Sequence, residues 1–230
     1  MPSTEDHRKL YGEVEISVPS RDALDASVRF IEIKSPETYD HSVRTARICI
    51  RILETMHLDR KVGLFTGLLH DFGKVQCNPE VLNKKSGFSI EDLEHVSEHV
   101  LDGYRAMRGL FDFTAEVILW HHCFQANSYP KDDPPPPLHD YSAGTSVMIP
   151  MYGRILALSD FYDAIHRNND KHGIVSGEKI REIIENNNRD LLTLVSDLYD
   201  CCIFDESLGT DYERPSQVDS LESTKNRKDE

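Results

Sequence analysis

Apolar residues recur at helical spacing along most of this chain and alternate at strand spacing only over Val14-Glu15-Ile16-Ser17-Val18. Residues 1–19 are otherwise polar and read as a loose arm or an edge strand. Ser20 can cap a helix whose stripe is Ala23, Leu24, Val28 and Ile31. Pro36, favoured in a first turn, opens a second helix that runs to about His57 with Val43, Ala46, Ile50 and Leu53 on one side. After the linker Asp59-Arg60-Lys61 comes a short apolar helix over 62–70, then an irregular stretch from Val75 to Gly87. Ser89 with Asp92 is a capping box for a helix that carries His95 and His99 and ends near Arg108-Gly109. Thr114 to His122 predicts another apolar helix, and 126–141, with Pro134 to Pro137, a loop. Pro150 is expected to open a helix burying Ile155, Leu156, Leu158 and Ile165. A loop from Asn168 to Gly173 leads to a helix starting at Ser176-Gly177-Glu178-Lys179 and running through Ile184. Asp190 starts the last one, to about Phe204. From Glu206 the chain is polar and is expected to be disordered. The pattern predicts an all-α domain.

Composition narrows the function classes. A chain of 230 residues fits one domain with modest extensions. A net charge of −14 without any Lys/Arg cluster argues against duplex nucleic acid or an anionic membrane surface as partner. A small anionic substrate remains compatible if bound metal cations reverse the local field. No apolar run reaches membrane-spanning length, and the start MPSTEDHRKL lacks a signal-peptide core. The five cysteines are odd in number and show no CxxC spacing, which predicts reduced thiols in a cytoplasmic protein. Histidine, at eleven residues, is the compositional excess.

Several of those histidines fall where chemistry is expected. Leu68-Leu69-His70-Asp71-Phe72-Gly73-Lys74 ends an apolar helix on an imidazole and a carboxylate, the mixed pair that binds a divalent transition metal. An Asp between two ions can bridge them, and Lys74 would hold a cation where an anionic substrate meets them. Taken alone, the stretch reads equally as a buried His, a helix-terminal Asp, a capping Gly and a surface Lys. Glu37 and His41, spaced i and i+4, share a helix face. His99 lies on a helix, His121 and His122 close an apolar one, and Asp160 interrupts the run Ile155-Leu156-Ala157-Leu158. A carboxylate there is costly unless a cation or donor meets it. Together they supply five imidazoles and three carboxylates, enough for two metals and a third.

The order His41, His70-Asp71-Phe72-Gly73-Lys74, Glu98-His99, His121-His122, Leu158-Ser159-Asp160-Phe161-Tyr162-Asp163-Ala164 resembles the HD superfamily of metal-dependent phosphohydrolases. It is most similar to the HD-GYP branch, bacterial phosphodiesterases of cyclic di-GMP. Asn78-Pro79-Glu80-Val81-Leu82-Asn83-Lys84 also resembles the branch's segment after its HD motif, and the likeness covers roughly 37–187. It implies a helical bundle with a metal site in its core. The HD-GYP-like domain would span 37–205, after an N-terminal arm and short helix over 1–36 and before a polar tail over 206–230. The resemblance further implies that His41, His70, Asp71, His99, His121, His122 and Asp160 ligate two metals, with Asp71 bridging. Asp71 and Lys74 would be the catalytic residues, and Lys74 and Tyr129 would contact substrate. Glu37 matches the residue that adds a third ion in some members. Two or three divalent ions are expected, Fe or Mn by preference, with Ni or Zn admissible. The nucleophile would be a hydroxide between the metals, attacking a cyclic dinucleotide or another nucleotide.

Two segments depart from the branch. After the double His it carries Glu and then Asp-Gly-x-Gly-Tyr-Pro, where this chain reads Cys123-Phe124-Gln125-Ala126-Asn127-Ser128-Tyr129-Pro130. An Arg-Pro-Tyr-Arg-like segment is replaced by Arg167-Asn168-Asn169-Asp170-Lys171-His172. Two rival readings stay open: a di-iron oxygenase of the same superfamily that uses O₂, and a non-catalytic module that senses nucleotide or touches a partner. Control would come from a protein regulator, homo-oligomerisation or substrate level. Pro134 to Pro137 reads as a stiff spacer or a polyproline recognition site. Asp163 and His166 read as supports of the ligands or as surface residues. Cys123, beside the ligand pair, would alter the surroundings of the site.

Overall fold

A computed structural model describes residues 6–82, 84, 87–124, 128–131, 135–166 and 176–204. Every regular element among them is a helix. The N-terminal arm enters as a 3₁₀ turn, His7–Gly12, and the alternating 14–18 segment is no strand. A lone short segment with no partner strand cannot satisfy its backbone as sheet. Instead Leu10 and Val14 join the apolar cluster of Leu24, Val28 and Ile31. The buried His7 is fastened by the Tyr39 hydroxyl, 2.9 Å from Nδ1, and by Asp25, 2.8 Å from Nε2.

Helix α1 (Val18–Lys34) is capped by Ser17, ahead of the expected Ser20, with a proline in its first turn. Helix α2 (Pro36–Thr55) begins at Pro36 as its proline predicts, under the Ser35 cap. Helix α3 (Arg60–Leu69) follows the Asp59 cap. The backbones of α2 and α3 touch: a Cβ at Gly67 would lie 2.3 Å from Ala46 Cα. That contact sets His70, the first residue past α3, against the N-terminal half of α2, where His41 lies.

A 3₁₀ turn, Phe72–Gln76, leads into the stretch expected to be irregular from Val75, whose described residues hold one further helical turn, α4 (Pro79–Leu82). The 3₁₀ turn rests on the backbone of the next long segment, since a Cβ at Gly73 would lie 2.0 Å from the His99 carbonyl oxygen. Ser89 and Asp92 form the expected capping box. The single helix expected behind it is two, α5 (Ile90–Ser97) and α6 (His99–Met107). At the break the Val96 carbonyl accepts from the Glu98 amide and faces His99 Nδ1 at 2.6 Å, so an inserted side chain interrupts the ladder.

Helix α7 (Asp112–Ile118) stops before the double His, because the His121 ring takes the Ile118 carbonyl at 2.5 Å. Pro150 does not open its helix. Helix α8 (Ala143–His166) starts earlier, with Ser142 Oγ accepting from the Thr145 amide at 3.2 Å, and carries Pro150 inside. An interior proline costs a helix about 3 kcal/mol, which the buried stretch from Tyr152 to Asp160 offsets. Helix α9 (Gly177–Asn187) has the predicted Ser176 cap. Asp190 lies in a 3₁₀ turn, Arg189–Leu191, ahead of α10 (Leu192–Asp200), and both its oxygens meet the buried Arg154. The expected loop Asn168 to Gly173 and the tail over 206–230 lie outside the described residues, as does Pro134. The core divides into two apolar clusters, and α2 serves both: Val43, Ala46 and Ile50 in one, Cys49, Ile52 and Leu53 in the other.

Candidate metal centre

Five elements converge on one buried cluster. Helix α2 brings His41, the end of α3 His70 and Asp71, α6 His99, the turn after α7 His121 and His122, and α8 Asp160. None of the seven is more than 9% exposed. Their donor atoms fall into two trios, His41 with His70 and Asp160, and His99 with His121 and His122, each within a span of 4.8 Å. Asp71 stands between them. Its Oδ2 lies 3.5 Å from His70 Nε2 and 3.8 Å from His41 Nε2, and its Oδ1 lies 3.2 Å from His99 Nε2.

The rings are oriented by their other nitrogens. Nδ1 of His70, His99 and His121 each meets the carbonyl oxygen three residues earlier, of Gly67 (2.9 Å), Val96 (2.6 Å) and Ile118 (2.5 Å). Nδ1 of His41 meets Asp163 Oδ2 at 2.6 Å. An acceptor at Nδ1 keeps the proton there and leaves the Nε2 lone pair for a metal. His122 is held differently, by stacking on the Tyr129 ring with centroids 4.3 Å apart and planes at 27°. Its Nδ1 is buried without a hydrogen-bond partner.

Burial dominates the electrostatics of the imidazoles. It pushes His70 below its ordinary value, His121 well below, and His122 down to about 3, so the rings stay neutral donors. The carboxylates go the same way for another reason. Burial alone would raise Asp71, but the Lys74 ammonium and the neighbouring His70 and His99 rings outweigh it and hold the group well below the usual carboxylate range. Burial likewise opposes ionisation of Asp160, and His41 overcomes it.

These residues fit divalent cations. Nε2 of His41 and His70 are 3.3 Å apart, and those of His99 and His121 3.4 Å. Two imidazoles that each sit about 2.1 Å from one ion in tetrahedral array present nitrogens roughly 3.4 Å apart. The orphaned His122 Nδ1 and Asp71 Oδ1, both buried, are further unmet donors of the kind a cation satisfies. The imidazole-rich set suits transition metals better than Mg²⁺.

A profile of the HD domain family matches residues 38–165, more than half of the chain. The chain belongs to the HD domain family. The chain is 25% identical over 191 residues to the 3′3′-cGAMP-specific phosphodiesterase 1 of Vibrio cholerae, covering 80% of this chain and 41% of that protein. A cyclic di-GMP phosphodiesterase of Pseudomonas aeruginosa is 28% identical over 182 residues, 74% of this chain and 41% of its own length. One of Thermotoga maritima is 27% identical over 142 residues, 58% and 36%. This chain therefore spans less than half the length of each. Among solved structures, the HD domain of the L. monocytogenes phosphodiesterase PgpH superposes with a TM-score of 0.58 at 19% identity, covering 77% of this chain and 95% of that one. The same domain in complex with cyclic-di-AMP gives 0.56 at 18%. These two establish the fold.

The HD domain does not gather every residue the sequence nominates. Glu37 sits exposed in the first turn of α2 and belongs to neither trio, while the Nδ1 side of His41 faces Asp163. Lys74 Nζ donates to Asp71 Oδ2 at 2.6 Å, with its side chain 23% exposed at the rim. Tyr129 lies over His122 and edge-on to His99, centroids 5.9 Å apart. Asp163, weighed against a surface position, is buried. Arg44 went unnoticed, although it grips Asp163 through Nε at 2.7 Å and Nη2 at 3.2 Å. Its face of α2 also carries Asp40 and Arg47, so polarity alone did not set it apart. His166 packs against Tyr162, centroids 4.1 Å apart and planes tilted by 31°. Cys123 Sγ points to the carbonyls of Leu119 and Tyr129, away from the donors.

Proposed function

We propose that this HD domain is a metal-dependent phosphodiesterase acting on a cyclic dinucleotide. The observation that carries the reading is the placement of Asp71, one oxygen toward each trio, as a carboxylate shared by two ions requires. Relatives named as cyclic di-GMP and 3′3′-cGAMP phosphodiesterases support the substrate class.

In this reading His41, His70 and Asp160 hold one ion, and His99, His121 and His122 the other, with Asp71 common to both. Iron or manganese is preferred, and nickel or zinc is compatible with the same donors. Divalent ions bound there supply Lewis acidity and a water whose pKa is lowered toward neutrality. Lys74 exchanges its contact with Asp71 for a phosphoryl oxygen and adds positive charge where the transition state gathers negative charge. Tyr129 keeps His122 in place with one face and offers an aromatic edge to a base. The arrangement supports two ions; the exposed Glu37 gives a third no support. No helix among the described residues is long and apolar enough to cross a membrane, and the five cysteines are free thiols, which supports a cytoplasmic site of action.

The test is anaerobic purification, metal per chain by elemental analysis, and parallel assays with cyclic di-GMP, 3′3′-cGAMP and cyclic di-AMP. Two ions per chain with release of a linear dinucleotide is the expected result. Full metal loading with none of the three turned over would reject the reading.

A further inference from the structure

We propose that Asp163, clamped by Arg44, is the positioning residue that fixes His41 as an Nε2 ligand; the inference rests on the metal reading above.

Asp160 and Asp163 are spaced i and i+3 on α8 and so share one face. The His41 ring lies between them, with Nε2 2.9 Å from Asp160 Oδ1 and Nδ1 2.6 Å from Asp163 Oδ2. One turn of α8 thus supplies both the co-ligand of His41 and the acceptor on its far side. Asp163 is only 4% exposed, and Arg44 Nε and Nη2 hold its Oδ1 and Oδ2 at 2.7 and 3.2 Å. Arg44 stands one turn past His41 on α2, so two helices close a ring of three side chains.

The location of His41 explains why such a device is present. His70, His99 and His121 sit at helix ends, where the carbonyl three residues earlier is open to the ring. His41 lies inside α2, where the ladder engages the neighbouring carbonyls. The Thr45 hydroxyl, 3.4 Å from Nδ1, is a distant second contact. His41 therefore needs an acceptor from another element, and α8 provides a charged one, which also strengthens the imidazole as a donor to metal. Arg44 keeps that carboxylate turned the right way by a bidentate grip. An amide in place of the carboxylate can turn its NH₂ toward Nδ1. The ring proton then moves to Nε2 and the ligating lone pair is lost.

The experiment is titration of the metal-free full chain with Zn²⁺ alone, followed by calorimetry, for the wild type, Asp163→Asn and Asp163→Glu. Asp163→Asn is expected to weaken one of two zinc equivalents by about 10- to 100-fold and leave the other unchanged. Asp163→Glu, which restores an anionic acceptor, should recover part of the loss. Wild-type affinity for both ions in Asp163→Asn, or equal weakening of both, would overturn the proposal, the second result marking a merely structural role. Should the variants fail to fold, the zinc-loaded wild type decides by ¹⁵N–¹H correlation of its imidazoles. A protonated Nδ1 that disappears in His41→Gln supports the assignment, and its absence overturns it. A wild type that takes up no zinc would instead remove the metal reading itself.

Discussion

Lys74 Nζ sits 2.6 Å from Asp71 Oδ2, the oxygen that faces His41 and His70. The ammonium thus lies where its charge lowers the carboxylate, at the rim of a cluster that is otherwise shut from solvent. In the proposed reaction this ammonium would leave Asp71 for a phosphoryl oxygen, a role in turnover rather than in metal retention.

Lys74→Met should therefore leave the metal content unchanged and lower kcat by about 10²- to 10³-fold, as removal of one transition-state contact does. Elemental analysis and steady-state kinetics on the same preparation check both halves. Unchanged turnover would show that Lys74 does no more than balance Asp71.

Asp71→Ala removes the carboxylate that faces both trios. The expected outcome is loss of at least one ion per chain and of all measurable hydrolysis. A variant that keeps two ions would mean that the trios bind independently of Asp71.

Gly73→Ala places a methyl group 2.0 Å from the His99 carbonyl oxygen, backbone that no rotamer change can move. The metal-free protein should lose about 1–3 kcal/mol in urea unfolding. Gly12→Ala is the control, with nothing within 4 Å of the added carbon. Its effect should stay within about 0.5 kcal/mol. Equal stabilities would reject the close contact between the 3₁₀ turn and α6.

Acid should destabilise the metal-free protein through His122, among other groups. Its folded value is pushed by burial from an ordinary 6.5 to about 3. Between those limits the unfolded chain binds the proton and the folded chain does not, so stability falls as pH drops from about 6.5 toward 3. Urea midpoints of wild type and His122→Phe across that range test it. The variant should show a shallower decline, by up to one proton, and parallel curves would refute the burial argument.

Much of the buried cluster was legible because its members are residue types that do not belong in apolar runs. His70 and Asp71 end an apolar helix, and Asp160 breaks the run after Ile155. Asp163 carried the same mark, a carboxylate on the buried side of α8, but nothing in the sequence named its partner 122 positions away. For Glu37, i, i+4 spacing puts two residues on one helix face without saying which way the His41 ring turns. The packing of α8 turns His41 toward Asp160 and Asp163. The break at Glu98 and the early end of α7 were illegible for one reason. In both, an imidazole takes a carbonyl that would otherwise continue the ladder, and periodicity does not record that competition. Pro150 lies inside α8 rather than at its start because a local preference for the first turn yields to the burial of a long helix.

The anchoring of His70, His99 and His121 on carbonyls of their own turns has a thermodynamic consequence. Ring orientation is settled by the nearest few residues of backbone, so the rotational freedom of these side chains is surrendered when the helices form. On the metal reading, an arriving ion would meet donors already at ion-sized spacing and have little ordering entropy left to overcome. Exchange of one transition metal for another in such a nest should therefore alter affinity and reactivity while leaving the surrounding packing as it was.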